Sequence, residues 1–231
     1  MNAIYYPKKE LSLDESMVLW RGRLVFRQYI QNKCLKYGIK LYMLTEPDGL
    51  VIKFAVYTGV FDDMEGQGNA SIVVLYLMSE KLENGHSLYM DNFYNSFDLA
   101  TLLIQKNTYC TGTLRLNRKN TLVEVKKDET IARYSNGVVI GKRRDKREVA
   151  YISTEFKNNL VVSTNTRGHN QTKPEPIVNY SKFMSGIDRQ DQMQSYYPCI
   201  RKTIRWYKKI GIHIEQMLLM NSFYLYNKYK I

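Results

Sequence analysis

A chain of 231 residues, 44% apolar and 13% aromatic, carries enough hydrophobic material for a full core; this excludes a disordered chain and suits one large domain or one domain with an insertion. Lysine and arginine number 34 against 22 aspartates and glutamates, a net charge of +12 that favours a polyanionic partner, nucleic acid first among them. No run reaches the roughly 18 apolar residues of a membrane span, and the start, MNAIYYPKKE, lacks a signal peptide's apolar core, so the expectation is a soluble, intracellular protein with no membrane partner.

In chain order, LSLD (11–14) alternates as a strand does, with Leu11 and Leu13 on one face and Asp14 on the other. GIKLYMLT and LVIKFAVYTG are strand-like runs joined by Glu46-Pro47-Asp48-Gly49, a hairpin turn. NASIVVLYLMSEKLENG reads as a helix, with Asn69 as its cap, Ile72, Leu75, Tyr76 and Leu82 as its apolar stripe and Gly85 as its stop. SLYMD is a short strand, and the helix after it has Ser96 as cap and Leu99, Leu102 and Leu103 at helical spacing; YCTGTLRL (109–116) is a further strand. From 118 to 175 periodicity weakens, GKRRDKR (141–147) crowds charge together and TNTRGHNQTKPEP is a polar link, so this stretch is read as an insertion. NYSKFMSGIDRQDQMQSYY and GIHIEQMLLMNSFYLYNKY are helical, which makes the whole a mixed α/β chain without internal repeats.

Open α/β sheets gather functional groups at the carboxyl ends of strands, and Asp14 and Asp91 are both predicted there. Asp188 and Asp191, at i and i+3 of a predicted helix, project from one face and repel unless a cation lies between them. Such carboxylates are hard oxygen ligands suited to Mg²⁺. From residue types alone the bland alternatives stand beside this: a turn aspartate before Asn92, and a solvated helix face. Cys34, Cys110 and Cys199 are widely spaced with no CxxC and read as reduced core thiols; His86, His169 and His213 lack metal-ligand spacing and read as structural.

Four stretches, LSLDESMVLWRGR, SLYMDNFYNSFDLATLLIQKNTYCTGTLRLNRK, YSKFMSGIDRQDQM and RKTIRWYKK, occur in the order and spacing of piggyBac-type transposases, and the chain resembles the catalytic domain of that family, piggyBac transposable element-derived proteins included, over residues 5 to 230. The resemblance implies a ribonuclease H-like fold, with 1–117 as the first part of the catalytic core, 118–175 as an insertion between the second and third catalytic acids and 176–231 as the C-terminal helical part. It implies that Asp14, Asp91 and Asp188 are the catalytic triad and Asp191 an accessory acid. Together they would hold two Mg²⁺ ions, for which Mn²⁺ substitutes, with Asp91 shared between them. The implied reaction is metal-dependent DNA strand cleavage and strand transfer at transposon ends and target DNA, by a homodimer in the full-length context. The family's long N-terminal region and Cys-rich zinc-binding C-terminus have no match here, which points to a fragment, a degenerate copy or a domesticated remnant.

Arg201, Lys202 and Arg205, interleaved with Trp206 in CIRKTIRWYKK, suit either a phosphate-gripping run or a solvated face, and the resemblance, which includes the segment RKTIRW, implies DNA contact. Arg21 and Arg23 in WRGR, and Arg115 and Arg118 in RLNRK, are further DNA-contact candidates, the latter pair over a phosphate near the metals; a charged strand edge is their alternative. GKRRDKR suits a nuclear localisation signal, and the expected compartment is the nucleus. The reading leans to an enzyme, with a catalytically silent, domesticated nuclear DNA-binding protein as the second reading.

Overall fold

The computed structural model describes residues 5–31, 35–59, 69–116, 125–126, 129–164, 168, 170–198 and 201–230. Its centre is β1 (Glu10–Leu19), in which all but the last residue are buried or half-buried. A strand with alternating side chains meets this demand only if both of its faces are covered. Leu11 and Leu13 enter one apolar cluster with Leu88, Met90 and Cys110, whereas Val18 enters a second with Ile39, Leu41, Met43 and Ile187.

β3 (Tyr37–Thr45) runs antiparallel to β1 from Ser12 opposite Thr45 to Leu19 opposite Gly38, and its other edge takes both β2 (Gln28–Tyr29) and β4 (Val51–Val56). The expected hairpin joins β3 to β4: Gly49, at φ +104°, donates its N–H to the Glu46 carbonyl at 2.9 Å. Helix α1 (Asn69–Met78) leads to β5 (Ser87–Met90), parallel to β1, and α2 (Phe97–Gln105) leads to β6 (Tyr109–Leu114), parallel to β5. Ser96 caps α2, its Oγ accepting from Leu99 N at 3.2 Å, with Leu99 and Leu103 buried as expected.

The segment read as an insertion contributes β7 (Thr130–Ser135), β8 (Val138–Arg144) and β9 (Glu148–Ser153), and β9 pairs with β6, so these strands extend the same sheet to the order β2-β3-β1-β5-β6-β9-β8-β7. Part of the stretch read as a polar link is folded: β10 (Leu160–Thr164) and β11 (Asn170–Pro174) form a two-stranded ribbon. β11, the strand inside that link, is polar on both faces, which hides it from a hydrophobicity reading. Helices α3 (Glu175–Phe183), α4 (Gly186–Tyr196) and α5 (Trp206–Tyr229) complete the chain.

Helices α1 and α2 supply Val73, Val74, Leu77, Met78, Leu99, Ala100 and Leu103 to the first cluster; α4 and α5 supply Ile187, Ile210 and Met217 to the second. An antiparallel β1-β3-β4 followed by parallel β5 and β6, with helices on both faces, is the expected ribonuclease H-like architecture. The stripe predicted for α1 is corrected. Ile72 and Tyr76 are 43% and 48% exposed, and the adjacent face buries Val73, Val74, Leu77 and Met78 instead. In so apolar a helix the periodicity is flat, and the sheet chooses the face. The helix also ends at Met78, with turns down to Gly85.

Candidate functional site

Position along the sheet assembles the acids. Parallel pairing sets Leu13 beside Met90 and Met90 beside Gly112, so the next row across the sheet is Asp14, Asp91 and Thr113. Asp91 follows the last residue of β5, as expected, but Asp14 is corrected: it lies in the middle of β1, not at its end. β1 is held to its full length by antiparallel pairing with β3, whereas its parallel neighbour β5 is four residues long and stops alongside Asp14. By alternation Ser12, Asp14 and Ser16 share one face of β1. It is the face toward α3 and α4, because Ser12 Oγ donates to the Phe183 carbonyl at 2.6 Å and Ser16 Oγ donates to Asp191 Oδ1 at 2.6 Å. Tyr89, one position from Met90 on β5, packs against the Phe183 ring of α3 at 5.1 Å, which places Asp91 on that face too.

Asp91 and Asp188 are supported differently. Asp91 Oδ1 accepts from Phe93 N at 2.8 Å, which makes it a turn residue and orients its carboxylate at once. Burial pushes the Asp91 carboxyl above the usual carboxylate range, with the Glu15 charge adding to this, while the Phe93 and Tyr94 N–H groups and the Arg115 charge oppose it. Asn95, 1% exposed, ties the β5 end to β6: its Nδ2 lies 2.8 Å from the Met90 carbonyl, 3.1 Å from that of Asp91 and 3.1 Å from that of Thr113. Gly112 leaves the room this needs, since a Cβ there would overlap the Met90 carbonyl and Asn95 Nδ2. Asp188 is exposed in the first turn of α4, where an acid suits the helix dipole. Gly186, two residues before it, sits so close to the sheet that a Cβ would overlap Thr45 Oγ1 and the Glu46 carbonyl. The charges of Asp91, Asp14 and Asp188 all act on the Tyr180 hydroxyl of α3. Among the described residues no three His, Cys, Asp or Glu side chains are drawn together closely enough to hold a metal ion.

Of the basic candidates, Arg115 is exposed, acts on the Asp91 charge and lies over the Phe93 ring at 5.4 Å. Arg118 lies outside the described residues, as do Cys34, Cys199 and His169. Arg21 and Arg23 are exposed beyond the far end of β1, roughly 20 Å along the chain from Asp14. Phe26 meets Trp206 edge to face at 5.2 Å, so the WRGR loop and the exposed Arg201, Lys202 and Arg205 come to the same end of the second core cluster. Trp206 is half-buried there and packs on that cluster; Tyr207, 51% exposed, is the ring that faces out. GKRRDKR (141–147) forms the end of β8 and the turn before β9, with buried Lys142 bonded to Glu148 at 3.0 Å. His86 is structural as expected, its Nδ1 lying 3.0 Å from the Lys8 carbonyl, and Cys110 is a buried core thiol.

The supporting residues Ser16, Asn95 and Tyr180 escaped the sequence reading. One signal for Ser16 was present: Ser12, Asp14 and Ser16 are polar at every second position of a strand whose opposite face carries Leu11, Leu13 and Met17, with Glu15 interrupting that pattern.

The profile of the Transposase IS4 family matches residues 1–223. The chain is 23% identical over 244 aligned positions to human piggyBac transposable element-derived protein 3, covering 94% of this chain and 40% of that protein. It is 20% identical over 239 positions to human piggyBac transposable element-derived protein 2, covering 93% and 40%. It also superposes on a piggyBac transposase solved by cryo-electron microscopy as a synaptic complex with hairpin DNA, with a TM-score of 0.85, 26% identity and coverage of 97% of this chain and 48% of that one. The chain therefore spans less than half the length of these relatives. A profile that runs through nearly every element described, together with the shared fold, shows that this chain belongs to the IS4/piggyBac-type transposase family.

Proposed function

We propose that this chain is the catalytic part of a metal-dependent DNA transposase that cleaves a strand at an element end and joins the freed 3′-hydroxyl to a second phosphodiester. The observation that carries the reading is the register that sets Asp14 beside Asp91 on the sheet face covered by α3 and α4, the latter bearing Asp188 and Asp191. As a donor set these carboxylates fit hard divalent cations, Mg²⁺ or Mn²⁺. Asp14, Asp91 and Asp188 would hold them, with Asp191 in support. When bound, a pair of such ions activates the attacking hydroxyl and stabilises the leaving oxygen of an in-line displacement.

The protein's own groups prepare that chemistry. Phe93 N–H orients the Asp91 carboxylate, Asn95 fixes the backbone that carries it, and Ser16 fixes Asp191 against β1. Arg115 is placed to receive a phosphate beside Asp91. Arg201, Lys202, Arg205, Lys208 and Lys209 crowd the N-terminal end of α5, whose first turn holds no acid. Cations there oppose the helix dipole, an arrangement that is unfavourable alone and relieved by bound phosphate. Likeness to a transposase complexed with hairpin DNA supports duplex ends as the substrate. The protein would act in the nucleus as a homodimer of longer chains.

The second reading, a silent DNA-binding relic, draws on the human relatives, whose names mark them as derived from transposable elements. Incubating the protein with a cognate end and Mg²⁺ or Mn²⁺, with the remaining family regions supplied, separates the two. Strand cleavage that requires metal upholds the enzyme, and inertness with retained DNA affinity upholds the relic.

A further inference from the structure

Helix α3, whose last turn opens the stretch YSKFMSGIDRQDQM, holds none of the candidate site residues, yet it lies over the row that holds Asp14, Asp91 and Thr113. Three interactions fix it there. Phe183 accepts from Ser12 Oγ at 2.6 Å and stacks on Tyr89 at 5.1 Å, and the Tyr180 hydroxyl hydrogen-bonds the Thr113 side chain, next to Asp91 in the row. The other side of Thr113 is also fixed, because its carbonyl accepts from Asn95 Nδ2 at 3.1 Å. One phenol thus stands where strand acids and the helix acid Asp188 all act on it.

We propose that Tyr180 is a positioning residue of the acid site, its hydroxyl held by Thr113 so that it orients the carboxylates that receive the divalent cation. This rests on the reading of Asp14, Asp91 and Asp188 as cation ligands. The chemistry suits the task. A phenol among carboxylates is a neutral donor: it offers a hydrogen bond to an acid oxygen without adding a fourth charge to repel the others. A free phenol ionises at about pH 10, so at neutral pH it carries its proton. Supporting groups of this kind set the geometry and basicity of ligands, and losing one typically lowers metal affinity by about 10- to 100-fold.

The test is Mn²⁺ titration of the protein by calorimetry, without DNA, on wild type, Tyr180→Phe, Thr113→Val and Asp91→Asn. Tyr180→Phe keeps the ring and its packing and removes only the hydroxyl. The expected result is an affinity loss of about tenfold in Tyr180→Phe, a comparable loss in Thr113→Val, and no further loss when the two are combined. Apo melting temperature and DNA affinity in chelator should stay at the wild-type values. Wild-type Mn²⁺ affinity in Tyr180→Phe, with binding lost in Asp91→Asn, would overturn the role of Tyr180 and leave the acid site standing. Equal affinity in wild type and Asp91→Asn would instead remove the acid site, and this proposal with it. Should Tyr180→Phe fold poorly, Thr113→Val carries the test: unchanged affinity there overturns the proposal.

Discussion

At the scale of single residues, Asp91 is both a turn former and a candidate ligand, and the two roles separate by substitution. In Asp91→Asn the amide oxygen still accepts from Phe93 N–H, so the turn persists, while the charge that burial and Glu15 disfavour is gone. A carboxyl whose pKa is raised by folding loses stability as pH rises through its range, so neutral pH is where the charge opposes the fold. Without metal, Asp91→Asn should therefore melt at the wild-type temperature or up to about 3 °C higher, as scanning calorimetry would record. Added Mn²⁺ should raise the melting temperature of wild type and leave the variant unmoved, and metal-dependent cleavage should fall by orders of magnitude with DNA affinity kept. A variant that cleaves like wild type would remove Asp91 from the triad. His213 sets a different pH response. Burial, and then Lys209, lowers its pKa from 6.5 to about 4. The unfolded chain binds the proton more readily in that window, so stability should be level above pH 6.5 and decline as pH falls from there toward 4, by at most about 3 kcal/mol. His213→Gln should flatten that part of a denaturation-versus-pH curve.

At the scale of elements, α4 is positioned by what it lacks. Gly186 lets the helix start in contact with the β3-β4 turn, and the neighbouring backbone of Glu46 cannot withdraw, because the Glu46 side chain is wholly buried and held by Tyr5, by Lys8 N–H and by Lys228 of α5. Gly186→Ala should destabilise by on the order of 2 kcal/mol and displace Asp188 and Asp191 together. Urea denaturation measures the first effect; loss of Mn²⁺ affinity beyond that of a destabilised control variant measures the second. A fully stable Gly186→Ala would show that the helix has room that the geometry denies it. The N-terminal end of α5 carries its own expectation. Replacing Arg201, Lys202 and Arg205 together by Ala should flatten the dependence of log K on log salt by up to about 0.9 for each phosphate no longer neutralised. An unaltered slope would assign these residues to a solvated face.

At the scale of the molecule, the mixed sheet brings both ends of the chain to one place. Tyr5 donates to Glu46 Oε1 at 2.6 Å, and Lys228 Nζ bonds both Glu46 and Tyr5, so an N-terminal residue, the first hairpin and the last helix close one ionic network. A buried acid left without its cation is costly, typically about 3–5 kcal/mol when one partner is removed. Lys228→Met should thus lower stability far more than removal of an exposed lysine, and a loss below about 1 kcal/mol in urea denaturation would show the network to be solvated in solution.

Sequence alone determined the order of the main elements outside 118–175, the β3-β4 hairpin with its Gly49 and the Ser96 cap of α2, because turns, caps and spacing are local properties of the chain, and it singled out the candidate acids. Basic charge was equally legible, being additive. Tertiary structure decided the rest. That Asp14 sits in mid-strand depends on pairing with β3 that carries β1 on to Leu19, that α1 buries Val73 and Leu77 instead of Ile72 and Tyr76 depends on the sheet beneath it, and that β9 joins β6 depends on pairing between residues far apart. Asn95, Tyr180 and Ser16 act through groups distant in sequence, and no period or motif announces such pairings. Register and burial are properties of pairs of elements, so only the folded chain could show which row of the sheet holds the acids.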